Sequence, residues 1–400
     1  MTSDTIRDTP LWLDTVVNWD GNSPDIHQAL IAGFEAEDYL TCIKGLEERG
    51  IEPVSYINNL DKVINSLPSD SDFRQQCLRA LRKTCGLHGI LPDSYTITYA
   101  LNKTGGRAIA NGSFADVWKV TNGNDEVFAV KVLRVTEQEL EQIKKTYCKE
   151  VVVFKRVDHQ NVLSIEGVAP TLFEFCMVSR WMEHGNMSDY LNEHPGANRL
   201  ELLIGVAHGL NYLHCNQVVH GDLKSSNVLI DTGGIPRICD YGLSSTTRND
   251  CSVNASTPNH GSTFRYRAPE LLDTEKAAET KKKRPTSKSD VYSLSMVIVE
   301  LVTGKVPFAG LTDYNAVRLV SKGKRPTKPR RFDFPGTSEA VWKVAEKCWH
   351  SKADRRPEVK GVLLDFDKIT NSVEGGDGQS TWKRMWHYVS NRMPFRFGDS

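Results

Sequence analysis

His220-Gly221-Asp222-Leu223-Lys224-Ser225-Ser226-Asn227 and, further on, Cys239-Asp240-Tyr241-Gly242 decide how this chain is read. Asp222 stands five positions before Asn227, and Asp240 thirteen positions after it. Two acidic groups and one amide are thereby set out where a bound metal ion and an attacking hydroxyl would need them. Lys224 adds a positive charge two residues from Asp222. Upstream, Phe128-Ala129-Val130-Lys131 places a lysine in a β-rich run, and Glu150 lies nine residues before His159 in a helical one.

The rest of the chain frames these segments. Its 400 residues exceed one ordinary domain, and a hydrophobic fraction of 39% is enough for real cores. Fifty basic residues balance fifty acidic ones, which gives no footing for nucleic-acid or anionic-membrane binding. The N-terminus lacks the basic and apolar regions of a signal peptide. No apolar run reaches the eighteen residues of a membrane span, and Val291 to Val302, interrupted by Ser293, Ser295 and Glu300, reads as a buried helix. Nine scattered cysteines without a C-x-x-C pair suit reduced thiols in a cytoplasmic or nuclear protein.

Residues 1–94 read as helical. Glu35 to Arg49 carries Tyr39, Leu40, Ile43 and Leu46 at helical spacing, with Gly50 and Pro53 as a stop. Ser55 to Leu67 repeats the pattern, and a third segment opens at the N-cap Ser71 and runs through Phe73, Cys77, Leu81 and Cys85 to Gly86. Arg74, Arg79, Arg82 and Lys83 form its solvated basic face. Such stripes suit a small helical bundle, or a module for protein docking or oligomerisation. From Tyr95 the pattern turns to strands: Tyr95 to Lys103, Phe114 to Thr121, Val127 to Leu133, Leu163 to Val168 and Phe173 to Ser179, with a helix from Glu137 to Arg156. A mainly helical part follows to residue 370, then a polar, Gly-rich tail over 371–400. The expectation is an α+β chain of two lobes, a five-stranded N-lobe with one helix and a helical C-lobe, preceded by a small all-α region.

The motifs resemble those of eukaryotic protein kinases of the tyrosine-kinase-like group, over about 270 residues. The lead-in Arg79 to Pro92 and Phe114-Ala115-Asp116-Val117-Trp118-Lys119 resemble the kinases of mushroom-forming fungi. The resemblance implies ATP with Mg²⁺ and protein substrates phosphorylated on Ser or Thr. Lys131 would contact the α- and β-phosphates and Glu150 would orient it. Asp222 would handle the substrate hydroxyl, Lys224 would sit near the transferred phosphate, and Asn227 and Asp240 would hold metal. Ala110, Asn111 and Gly112 would cover the phosphates. Val117, Ala129 and Leu229 would enclose the adenine, Ser179 would be a small gatekeeper that opens a pocket behind it, and Arg180-Trp181-Met182 would be the hinge.

Departures matter as much. Only Gly112 of the three loop glycines remains, with Ala110 and Ala115 replacing the others, which predicts weaker or slower ATP binding and keeps a nucleotide-binding pseudokinase in view as the alternative. Gly221 replaces the arginine that, in the family, meets a phosphorylated activation segment. Tyr241 replaces a phenylalanine, so its hydroxyl needs a partner, and the resemblance stacks it with Phe154, Ile165 and His220. Asp290 would tie down the catalytic loop, and Glu270 would pair with Arg356. Cys239 is expected as a buried small residue and Lys281-Lys282-Lys283-Arg284 as a solvated loop, with a reactive thiol and a nuclear signal as their sharper alternatives.

Overall fold

Among the described residues five α-helices come first: α1 (Leu11–Val17), α2 (Asp25–Glu35), α3 (Tyr39–Lys44), α4 (Pro53–Ser66) and α5 (Asp72–His88). The computed structural model describes residues 9–69, 71–111, 115–241, 261–272, 284–332 and 338–373. Pro53, expected as a stop, instead begins α4, where its missing N–H is one that no intrahelical carbonyl would have satisfied. Ser71 caps α5 by accepting from the Arg74 N–H at 3.3 Å. The helix passes through Gly86 and ends at Gly89 in a left-handed conformation (φ 66°). The segment read as one helix to Arg49 breaks at Gly45, leaving α3 and a short 3₁₀ turn. Arg74 departs from the expected solvated face: it is buried and its Nε donates to the Ile64 carbonyl, while Arg79 and Lys83 are exposed.

The sheet has five short strands in four antiparallel ribs: β1 (Asn102–Lys103) and β2 (Ala110–Asn111) share one edge of β3 (Ala115–Thr121), followed by β4 (Val127–Leu133) and β5 (Cys176–Arg180). Three strand expectations fail in part, Phe173 to Ser179 being strand only from Cys176. Of Tyr95 to Lys103 only the last two residues are strand, because Asp93–Tyr95 forms a 3₁₀ turn. Leu163 to Val168 runs beside β5 without forming a ladder: the Glu166 N–H donates to the Val178 carbonyl and the Gly167 carbonyl accepts from the Val178 N–H. Two residues thus face one, as in a bulge, and regular pairing stops there. Between β4 and β5 lies α6 (Leu140–Lys155).

The second lobe holds α7 (Met187–Glu193), α8 (Arg199–Cys215), the hairpin β6 (Val228–Ile230) and β7 (Pro236–Ile238), then α9 (Ser287–Thr303), α10 (Asp313–Ser321), α11 (Ser338–Cys348) and α12 (Val359–Val373). On α8, Leu203, Val206, Ala207 and Leu210 are fully buried, and α9 is buried from Ser289 to Val302. One apolar core runs from α1–α5 through α6 into α8, α9, α11 and α12. A smaller one of Val120, Phe128, Val130, Ala169, Cys176 and Val178 fills the other side of the sheet. Among the described residues no helix is long and apolar enough to cross a membrane.

Candidate active site

Strand register brings the first group of side chains together. Val117 is paired with Lys131, Lys131 with Met177, and Ala129 with Ser179. Cross-strand partners share a face and alternate residues return to it, so Val117, Ala129, Lys131, Met177 and Ser179 line one side of the sheet. Ala110 is paired with Val117 and joins them; Asn111, paired with Asp116, lies on the opposite register. Gly112 falls outside the described residues. Leu229 lies on β6 in the other lobe, half-buried.

At the hinge, Arg180 turns its side chain outward to Glu126 and Glu166, both at 3.0 Å, so only its backbone can belong to the site. The Trp181 N–H donates to the Val127 carbonyl and the Met182 carbonyl accepts from Gly185. Ser179 lines a cavity of about 60 Å³ together with Lys131, Phe154, Ile165, Met177 and Cys239. Cys239 is buried, and burial pushes its thiol well above the ordinary range, so it stays protonated.

Lys131 Nζ donates to Asp240 Oδ1 at 2.5 Å. Burial opposes both charges, yet their mutual attraction wins: the ammonium is held above its ordinary range and the carboxyl below its own. Glu150, buried on α6, adds a further field that favours the charged lysine. Asp240 adopts a left-handed backbone (φ 59°), uncommon outside glycine and often found at functional positions.

The catalytic-loop candidates form a second knot. The Asn227 amide nitrogen donates to the Asp222 carbonyl at 2.9 Å, and its backbone carbonyl accepts from the Cys239 N–H at 2.9 Å, which links the two motif segments. Lys224 Nζ stands 3.4 Å from Asp222 Oδ2. Asp290 holds the loop from α9: its two oxygens accept the His220 and Gly221 N–H groups at 2.8 Å each, and His214 Nε2 lies 2.9 Å away. Gly221 sits at φ 77°, a region glycine adopts without strain. Burial lowers the His220 imidazole's pKa, and its Nδ1 accepts the Asp222 N–H at 3.2 Å, which places the proton of the neutral ring on Nε2.

Tyr241 finds its partner. Its hydroxyl donates to the Leu163 carbonyl at 2.8 Å, and its ring meets Phe154 edge-on at 4.7 Å. Arg356 grips Glu270 with two bonds of 2.7 Å. The activation-segment residues 242–260 and the basic run 281–283 lie outside the described residues.

The family described as protein tyrosine and serine/threonine kinase matches residues 104–366, a span that includes these positions. The chain belongs to that family. It is similar to the serine/threonine-protein kinase STY46 of Arabidopsis thaliana, 31% identical over 283 residues, 70% of this chain and 46% of the relative. It is also similar to the tyrosine-protein kinase SRK3 of Spongilla lacustris, 29% identical over 281 residues, covering 67% and 77%. A third, the serine/threonine/tyrosine-protein kinase HT1 of Arabidopsis thaliana, is 28% identical over 280 residues, covering 68% and 67%. The chain spans about half the length of the first of these relatives.

Sequence reading missed one residue that holds the segment around Asp222 in place. Glu300, noted only as a break in an apolar run, accepts hydroxyl protons from Ser188 at 2.8 Å, from Ser225 in the catalytic loop and from Tyr266. A carboxylate inside an otherwise apolar buried helix was the available signal, because burying such a charge is unfavourable unless donors surround it.

Proposed function

We propose that this kinase transfers the γ-phosphoryl group of ATP to serine and threonine hydroxyls of proteins. The observation that carries the reading is Lys224 Nζ at 3.4 Å from Asp222 Oδ2, inside the run Asp222-Leu223-Lys224-Ser225-Ser226-Asn227. An ammonium there can meet the charge of a phosphoryl group while the neighbouring carboxylate receives or orients the acceptor's proton. Lys131, charged and steered by Asp240 and Glu150, supports an α- and β-phosphate contact. The names of the similar proteins include serine/threonine, tyrosine and dual kinases, so the preference for Ser/Thr rests on the lysine.

Asp240 and Asn227 are hard oxygen donors on joined segments, and the Asn227 amide nitrogen is turned to Asp222, which leaves its side-chain oxygen facing away. This donor set fits Mg²⁺, which takes few protein ligands beside substrate phosphates. When bound, the ion would neutralise charge on the phosphates. Ala110 opens the phosphate-covering segment where the family keeps glycine, so a modest ATP affinity is part of the proposal.

The test is phosphate transfer from ATP to a basic protein and to the chain itself, with Mg²⁺ and with Mn²⁺, followed by phosphoamino-acid analysis. Asp222→Asn is expected to lower transfer by roughly 10²–10⁴-fold. Transfer confined to tyrosine would refute the acceptor class. Nucleotide binding by folded protein without any transfer would replace the enzyme by an ATP-binding interaction module.

A further inference from the structure

Helix α6 is engaged on two opposite sides. At 3.6 residues per turn, Tyr147, Glu150, Val151 and Phe154 fall on one face, Lys144 and Cys148 lie on its flank, and Lys149 and Arg156, the latter just past the C-terminal end, point to the opposite side. The first face belongs to the site: the Tyr147 hydroxyl donates to the Cys176 carbonyl at 2.6 Å, Phe154 meets Tyr241, and Glu150 acts on Lys131. The second lies on the N-terminal helices. The Lys149 stem crosses Gly86 of α5 so closely that a Cβ there would stand 2.2 Å from its Cε, and the Lys144 stem covers Gly89 in the same way at 3.0 Å.

Arg156 closes this contact. It pairs with Asp61 of α4, donates to Asn65 Oδ1 at 2.5 Å and donates to the Tyr95 hydroxyl at 3.1 Å. Ser94 also donates to Asp61, at 2.7 Å. The Asp61 side chain is 3% exposed and that of Arg156 11%. A second guanidinium, Arg74 of α5, is lowered to about 10, first by burial and then by the charge of Arg156. Asp61 and Arg156 therefore pair in a buried setting where the charge of Arg74 opposes that of Arg156, and the geometry is demanding.

A helix outside the sheet has no ladder to fix it; packing on both faces does. We propose that residues 53–95 are a built-in brace for α6, with Asp61 and Arg156 as positioning residues that keep Glu150 turned toward the Lys131–Asp240 pair. The proposal rests on the reading of Lys131 and Glu150 as the phosphate-positioning pair. Gly221 has no side chain with which the catalytic loop could sense a phosphorylated segment. The brace gives α6 its place without any modification.

The experiment uses the full chain with Arg156→Met, Arg156→Lys, Glu150→Gln and the double variant Arg156→Met/Glu150→Gln. Arg156→Met is expected to lower kcat about tenfold, within what residues coupled to a site from outside it can do, and to leave KM for the protein acceptor unchanged. Arg156→Lys recovers part of the loss. The double variant is no slower than Glu150→Gln alone, because both changes act through the same carboxylate. Multiplying losses, or a lower unfolding midpoint with kcat intact, would overturn the proposal. Amide exchange gives a readout that needs no activity: Arg156→Met should speed exchange in α6 as well as α4 and leave α9 unchanged, and acceleration confined to α4 would overturn the brace. A wild type that transfers no phosphate would defeat the kinase reading while the exchange result still decides the brace. Should Arg156→Met fail to fold, Asp61→Asn, which keeps an acceptor for Ser94, takes its place with the same expected results.

Discussion

Replacing Tyr241 with phenylalanine removes a single oxygen from a ring that is 1% exposed and keeps its edge-on contact with Phe154. The hydrogen bond lost is the one to the Leu163 carbonyl, 2.8 Å long. A neutral buried bond of this kind contributes about 0.5–1.5 kcal/mol net, and a carbonyl left without its donor costs about 1–3 kcal/mol. The hydroxyl's own desolvation, no longer required, works the other way. The expected loss is therefore about 1–2 kcal/mol, roughly a 5–30-fold change in the folded-to-unfolded ratio. Urea unfolding of the full chain reads it as a lower midpoint with an unchanged slope. Because Tyr241 follows Asp240 directly, KM for Mg-ATP should rise in the same variant. A phenylalanine variant as stable as the parent, with the same KM, would refute the reasoning and show that filling the slot with a ring is sufficient.

Asp290→Asn offers one oxygen where two are used by the His220 and Gly221 N–H groups; the expected cost is about 1.5–3 kcal/mol together with slower turnover, and a variant unchanged in both would count against the tether. Arg356→Ala strands Glu270, and because that carboxylate is 21% exposed the destabilisation should fall near the lower end of about 3–5 kcal/mol in denaturant titration. Burial depresses the His159 imidazole from 6.5 to about 4, so the neutral ring is favoured in the folded state. Its stability contribution is complete above pH 6.5 and is lost as pH falls toward 4, up to about 3 kcal/mol, and His159→Gln should flatten that acid limb of the stability curve. Ser179→Phe should close the cavity behind the gatekeeper and abolish binding of inhibitors with a bulky rear group, and equal binding to both proteins would contradict the assignment.

The meeting of the two motif segments was legible because chemistry constrains their spacing directly. Asp222, Asn227 and Asp240 must converge, and few loop lengths let them. The tether of Tyr241 was anticipated as a need, but its acceptor was not, since Leu163 lies 78 residues away and contributes only a backbone carbonyl. The apolar stripes of α4 and α5 were visible, yet a stripe looks the same whether its partner is another protein or the same chain; here it is the core that includes α6. Arg74 was misplaced for a related reason: an arginine on a helix face reads as solvated until a neighbouring carbonyl, that of Ile64, is known to receive it. Pro53 shows the ambiguity of punctuation, because proline both ends one helix and begins the next.

Glu300 has a bearing on chemical modification. Ser188, Ser225 and Tyr266 all spend their hydroxyl protons on this one carboxylate, and burial followed by the charge of Glu300 pushes the Tyr266 phenol far above its ordinary range. A phosphate on any of the three would set a dianion against a buried anion and part the catalytic loop from α9. On the proposed function, three hydroxyls of the chain itself are thus kept out of reach: in a chain incubated with ATP, mass mapping should find these three unmodified whatever else is phosphorylated.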